Sequence, residues 1–338
     1  METKQNVLVL GASGGIGGEL ALQLGNAGWN VRALQRNPVA AERDDGMLRL
    51  RGDALNPEDV AAAAQGCDVI VHAVNPPGYQ RWNELVLPML DNTLAAASRV
   101  GATVVLPGTV YNYGPDAFPL IDEDAEQRPL TRKGAIRVEM ERRLRAFAEQ
   151  GGRVLIVRAG DFFGPNAGNN WFAQGLVKPG RTVTTISNPG HVGHQWSFLP
   201  DVARAVVGLL ERRDALPAFA NFHTAGHWDA DGTQMAAAIQ RVLVRNGAKA
   251  PRVAAFPWWL IKLLSPFQTS CRELLEMRYL WQQPVRMSNA RITAVLGNEP
   301  LTPLDAAVEA TLKGLKCLPD MHNGVADQSC AAKPHAGR

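Results

Sequence analysis

The sequence predicts an α/β fold, a doubly wound parallel sheet that carries a smaller, mostly helical lobe toward its C-terminus. Three observations predict it. Short apolar runs alternate with helical stretches over residues 7–158, a glycine-rich turn follows the first run at once, and beyond Asp161 the alternation gives way to a stretch rich in Gly, Asn and Pro. Strands alternating with helices over short connections make a parallel sheet covered on both faces, with ligands bound beyond the strand C-termini.

The first strand is the apolar run 7–10, and the turn after it reads G-A-S-G-G-I-G over residues 11–17 before a helix opens. Side chains in such a turn would block both a positive-φ backbone and the approach of a pyrophosphate, whose charge the helix N-terminus favours. Gly11, Gly14 and Gly17 hold those places, with Ser13, Gly15 and Ile16 among them, so this segment is expected to bind a dinucleotide. Residues 29–36, 47–52, 68–74 and 103–106 read as the next strands. Residues 132–149 predict a helix with Ile136, Met140, Leu144 and Phe147 as its apolar stripe, and 153–158 a sixth strand. Further on, 197–212 is expected to be helical, 219–224 a strand and 233–244 a helix. The expected organisation is a dinucleotide-binding domain over 1–160 and a substrate lobe over 161–318, interleaved with the last sheet elements. The polar tail 319–338 is expected to be disordered.

Composition sets further bounds. A chain of 338 residues with 46% hydrophobic and 20% charged residues and a net charge of +3 is an ordinary globular protein, with nothing that calls for nucleic acid or an anionic membrane. Arg142, Arg143 and Arg145, alternating with Glu139, Glu141 and Glu149, read as a solvated helix face. Cys67, Cys271, Cys317 and Cys330 are far apart and form no C-x-x-C pair, which fits a reducing cytoplasm. The polar N-terminus predicts no signal peptide. Residues 253–264 are apolar but short and broken by Pro257 and Lys262, so they are expected to line a pocket through Trp258 and Trp259 rather than span a bilayer. His191, His194, His223 and His227 lack an H-E-x-x-H or cysteine partner, and no metal is expected. The chain has no G-x-S-x-G elbow and no P-loop, which argues against a serine hydrolase or a P-loop NTPase.

The glycine spacing G-x-x-G-x-x-G, distinct from the general G-x-G-x-x-G fingerprint, resembles that of the short-chain dehydrogenase/reductase superfamily. Length and later motifs look like its extended, epimerase-like branch and atypical members, over most of residues 5–315. R-A-G-D-F-F-G-P at 158–165 and W-S-F-L-P-D-V-A at 196–203 are similar to that branch's later segments, and they make Phe162, Phe163 and Trp196 pocket candidates. The resemblance implies a Rossmann sheet and a small-molecule substrate. It also suggests a homodimer through helices flanking the sheet.

An NAD-selective site usually ends its second strand with a carboxylate that bonds the ribose hydroxyls. This chain offers Leu34, Gln35 and Arg36 there, with Arg32 nearby, while Asp44 and Asp45 stand too far along. A guanidinium pairs with a 2′-phosphate, so Arg36 favours NADP over NAD. The resemblance adds Asp53 and Ala54 after the third strand, and Ala73, Val74 and Asn75 after the fourth, as cofactor contacts. Asp53 has an equal reading as the cap of a helix that begins near Pro57.

Members of the superfamily use a Ser or Thr, a Tyr and a Lys four residues beyond it to move hydride and proton. In L-P-G-T-V-Y-N-Y-G at 106–114, Thr109 falls at the Ser/Thr position. The Y-x-x-x-K motif is replaced by Lys133-Gly134-Ala135-Ile136-Arg137, so the Tyr is missing and Arg137 keeps a charge where the Lys belongs. Arg137 stays protonated and cannot serve as an acid. Lys133, Tyr111 and Tyr113 are the candidate proton donors, and an Arg137–Glu141 pair on a solvated helix is the plainer alternative. The expected activity is hydride transfer between NADP(H) and a carbonyl or secondary alcohol. The alternatives are an NADP-binding redox sensor or structural protein without turnover, and an epimerase or dehydratase that keeps NAD bound.

Overall fold

Period-two patterning builds the sheet, because each strand must feed two cores. In β1 (Asn6–Leu10), Val7 and Val9 enter the core on one face while Leu8 and Leu10 enter the core on the other, all four 0–1% exposed. Burial of such side chains stabilises by about 1.5–3 kcal/mol each. In the computed structural model, residues 4–38, 45–76, 81–168 and 170–319 are described. Asp44, Cys330 and the predicted tail beyond Pro319 lie outside the described residues.

The chain continues through α1 (Gly15–Asn26), β2 (Asn30–Gln35), β3 (Leu48–Arg51), α2 (Pro57–Ala63), β4 (Val69–His72), α3 (Trp82–Val100) and β5 (Thr103–Gly108). Then come β6 (Leu120–Ile121), α4 (Arg132–Glu149) and β7 (Arg153–Arg158). Beyond these lie β8 (Asp161–Phe163), β9 (Thr185–Asn188), β10 (His194–Phe198), α5 (Leu199–Leu210), β11 (Phe219–His223), β12 (His227–Asp229) and α6 (Gln234–Arg245). The last elements are β13 (Arg252–Ala255), α7 (Trp258–Leu264), α8 (Thr269–Glu276), β14 (Arg286–Met287), α9 (Ala290–Leu296) and α10 (Leu304–Gly314).

The main sheet has seven strands in the order β11-β7-β5-β4-β1-β2-β3, and every pairing in it is parallel. Helices α1, α5 and α9 cover one face and α2, α3 and α4 the other. The strand order reverses between β1 and β4, which leaves a crevice beyond their C-termini at Gly11 and Ala73. A smaller core joins β8, β9 and β10 to α6 and α10, and this forms the lobe.

Two element expectations are corrected. Ser197 and Phe198 belong to β10, which pairs with β8 and β12, so the following helix starts only at Leu199. Residues 161–195 are not simply loop, since they hold β8, β9 and a π-helical turn Phe172–Leu176; short strands that pair in two separate small sheets leave too little periodicity to read. Among the described residues, no helix is long and apolar enough to cross a membrane.

Candidate active site

A cavity of 1320 Å³ runs from the glycine turn, across the C-terminal edge of the sheet, to α7 and α8 of the lobe. Single small-molecule sites usually hold roughly 300–1,000 Å³, so there is room here for two ligands side by side.

The glycine turn builds one end from backbone. Gly11 sits at φ +91°, and a Cβ on it would lie 2.6 Å from the Ala73 carbonyl oxygen across the switch point. A Cβ on Gly17 would come within 2.2 Å of the Gly11 oxygen, so Gly17 does not line the cavity but lets α1 close on the turn. Ser13, Gly14, Gly15 and Ile16 do line it. Gly14 caps α1 without any side-chain hydrogen bond, so no side chain of the cap competes for the first-turn N–H groups. This is a cradle that side chains would fill and a dinucleotide pyrophosphate fits.

Arg36, Asp53, Ala54, Ala73, Val74 and Asn75 all line the same cavity. Arg36 is exposed at the end of β2, where no carboxylate stands. Arg49 of β3 joins it, held 2.5 Å from Asp45. Arg32 does not, because its guanidinium bonds the carbonyls of Ala63 and Gln65 at the end of α2. The cap of α2 is Asn56, whose Oδ1 accepts the Glu58 N–H, so the capping alternative for Asp53 fails; its carboxylate instead accepts from Leu55 within its own turn.

The chemical centre lies between β5 and α4. Thr109 opens the turn after β5, and its hydroxyl accepts the Tyr111 N–H at 3.4 Å. Helix α4 starts with Thr131 as its cap, and Gly134 allows it to press on this turn: a Cβ there would lie 2.2 Å from the Tyr111 oxygen. Thr109, Tyr111, Lys133 and Arg137 thereby line one cavity. Lys133 is buried and pairs with Glu273 of α8 at 2.7 Å, while Arg137 donates to Asn75 Oδ1 at 3.2 Å and lies over the Trp82 ring. Nothing at the position of Glu273 in the sequence points back to Lys133.

Tyr113 is corrected. It is fully buried against Met277 and Leu280 and does not reach the cavity, and burial pushes its phenol pKa up. Glu141 is corrected as well: it is buried and pairs with Arg158, so no Arg137–Glu141 pair is formed and Glu141 leaves the solvated face, on which Arg142, Arg145 and Glu149 stay exposed. Arg158 Nη2 donates to both Glu141 oxygens at 2.8 and 3.0 Å, its Nη1 to the Thr109 carbonyl at 2.6 Å, and its Nε to His223 Nε2 at 3.1 Å. Glu141 also accepts from Asn112 and Gln127. This buried network clamps the turn that presents Thr109. Burial, then the Arg158 charge, pull the His223 pKa down to about 3, so it is a neutral acceptor.

Of the aromatic candidates, Phe162 lines the cavity, whereas Phe163 and Trp196 fill the lobe core. Trp258 packs on that core and Trp259 is exposed, and neighbouring Phe256 and Ile261 line the cavity in their place. Helical and strand phase decides which of neighbouring apolar residues turns inward. Among the described residues, no group of His, Cys, Asp or Glu is arranged to hold a metal.

Residues 7–223 match the model of the NAD dependent epimerase/dehydratase family. A 2-alkyl-3-oxoalkanoate reductase of Shewanella oneidensis is 30% identical over 101 residues, which is 30% of this chain and 26% of that protein, so the match spans about a quarter of the curated relative. Among solved structures, MoeE5 in complex with UDP-glucose and NAD has a TM-score of 0.69 at 20% identity, covering 92% of this chain and 98% of that one. UDP-glucuronic acid 4-epimerase from Bacillus cereus in complex with NAD gives 0.69 at 18% identity over 92% and 99%. A putative epimerase from Burkholderia cenocepacia J2315 gives 0.68 at 18% identity over 93% and 98%. At these identities the likeness establishes the fold.

Proposed function

The chain belongs to the NAD dependent epimerase/dehydratase family, and from that premise we propose that it moves hydride between NADP(H) and a carbonyl or secondary alcohol. One observation carries this reading: the glycine cradle and Thr109, Lys133 and Arg137 line a single cavity. The Shewanella relative, named as a reductase, supports reduction as the direction.

Bound NADPH would supply the hydride to the carbonyl carbon as the π pair moves onto oxygen. Thr109 then holds that oxygen by its hydroxyl, and the Lys133 ammonium gives it a proton, leaving an amine that solvent recharges. Arg137, in the ribose-binding place, contributes charge and position and no proton. Preference for NADP rests on Arg36, with no carboxylate at the end of β2, although the solved relatives MoeE5 and the Bacillus cereus epimerase hold NAD.

A cofactor-binding redox sensor without turnover is the second reading, favoured by the lysine in place of the tyrosine and its pairing with Glu273. Titration with NADPH and NADH, read by energy transfer from the eight tryptophans, separates these outcomes. The proposal expects selective NADPH binding and substrate-dependent oxidation that falls about a hundredfold in Lys133→Met and Thr109→Ala while the cofactor still binds. It expects Arg36→Ala to lose the preference for NADPH. Tighter NADH binding overturns the NADP assignment and favours an epimerase or dehydratase, and binding without oxidation of NADPH by any carbonyl favours the sensor.

A further inference from the structure

Resting on the hydride-transfer reading, we infer that the substrate is an uncharged, mainly apolar carbonyl compound and not a nucleotide-diphosphate sugar. The lobe wall of the cavity is made by Trp171, Phe256, Ile261, Leu274 and Met277, with Asn170, Gln174 and Ser270 as neutral polar groups. Trp171 and Phe256 meet edge to face, ring centres 5.6 Å apart, and form a broad apolar surface.

A diphosphate carries about two negative charges and, once taken from water, needs cations or several N–H donors around it. Among the described residues, the lobe contributes no Lys or Arg to the cavity, and the ionisable groups it does contribute are the carboxylates of Glu273 and of Asp161, the latter hydrogen-bonded to His194. The cations facing that end come from α4, where Lys133 holds Glu273 and Arg137 holds Asn75. The remaining cavity cations are Arg36, which follows β2, and Arg49, which lies within β3, both on the far side of the glycine turn. Phosphate in the lobe would therefore meet aromatic rings and a like charge. An aryl or long-chain alkyl ketone would instead bury its chain on those rings and leave its oxygen toward Thr109 and Lys133. The step balances as hydride from NADPH to the carbonyl carbon and a proton from Lys133 to the oxygen, giving the secondary alcohol and NADP+.

The test uses the full chain saturated with NADP+, followed by thermal shift and tryptophan fluorescence, with aryl ketones, long-chain alkyl ketones, UDP-glucose and UDP-glucuronic acid as probes. The inference expects the ketones to bind at least tenfold more tightly than either nucleotide sugar. Leu274→Arg and, separately, Phe256→Arg are expected to weaken ketone binding at least tenfold with NADPH affinity unchanged, which also reports that each variant is folded. Tighter binding of UDP-glucose or UDP-glucuronic acid, or ketone binding unmoved in both arginine variants, overturns it. Its failure is distinguishable from that of the hydride-transfer reading. Ketone binding without NADPH oxidation supports the substrate class and defeats turnover, whereas turnover of a nucleotide sugar defeats the substrate class alone.

Discussion

At the glycine-turn end, the cavity is shaped by main chain that only glycine permits; at the lobe end, it is shaped by side chains from α4, α7, α8 and the π-helical turn. The first end is local, complete within residues 11–17 and closed by contact with Ala73. The second is assembled over long sequence separations, as in the pairing of Lys133 with Glu273. Cofactor binding should therefore respond to changes in backbone space and remain insensitive to distant side chains, while substrate handling should do the opposite.

The largest expected effect tests the side-chain end from beneath. Arg158 is fully buried, and its guanidinium ties Glu141 on α4 to the carbonyl of Thr109. Removal of one partner leaves the other charge buried without compensation, at a cost of about 3–5 kcal/mol. Arg158→Met is expected to lower the urea midpoint accordingly and, in the molecules that remain folded, to reduce turnover while NADPH affinity holds. If NADPH affinity falls in step with turnover, the two ends are not separable and the contrast fails.

Gly17→Ala probes the other end. The added Cβ would overlap the Gly11 oxygen, 2.2 Å away, so the turn and the start of α1 must move apart. NADPH affinity is expected to fall about a hundredfold, roughly 2.7 kcal/mol. Ketone binding, followed in the absence of cofactor, should change little. Unaltered NADPH affinity would show that the turn has more slack than its packing implies.

The same difference explains what the sequence makes legible. Strand and helix phases in the sheet follow hydrophobic period, and 132–149 and 153–158 fall on α4 and β7 at both ends. The glycine turn is built from consecutive residues, so its position is legible in the sequence, while the role of Gly17, which packs α1 on the turn and does not line the cavity, is seen only in the fold. Glu273 is different: an exposed-looking carboxylate on an amphipathic helix gains its role only when α8 folds over the start of α4. Glu141 misleads for the same reason, since the arginines around it are solvated and only the arrival of Arg158 from β7 brings its face inward. Tyr113 sits two residues from Tyr111, but the turn between them sends one ring into the core and the other to the cavity. Pattern reports which residues are apolar; tertiary closure decides which polar ones meet.

The smallest effect is a pH dependence beneath the side-chain end. Burial, then Arg137, pull the His72 pKa to about 3, and burial, then Arg158, do the same to His223. In the unfolded chain both imidazoles take up a proton near the ordinary histidine value of 6.5. Between these limits the unfolded state binds more protons, so this stability is fully present above pH 6.5 and is lost as pH falls toward 3. Each histidine contributes a slope of about 1.4 kcal/mol per pH unit within that window. His223→Gln keeps an acceptor for the Arg158 N–H and has no proton to gain. Urea unfolding followed at pH 7, 6, 5 and 4.5 is expected to show a shallower acid slope in the variant by about that one share. An unchanged slope would place the acid sensitivity elsewhere and remove His223 from the clamp on Thr109. A lost slope with turnover kept at neutral pH would separate the electrostatic part of that clamp from its geometry.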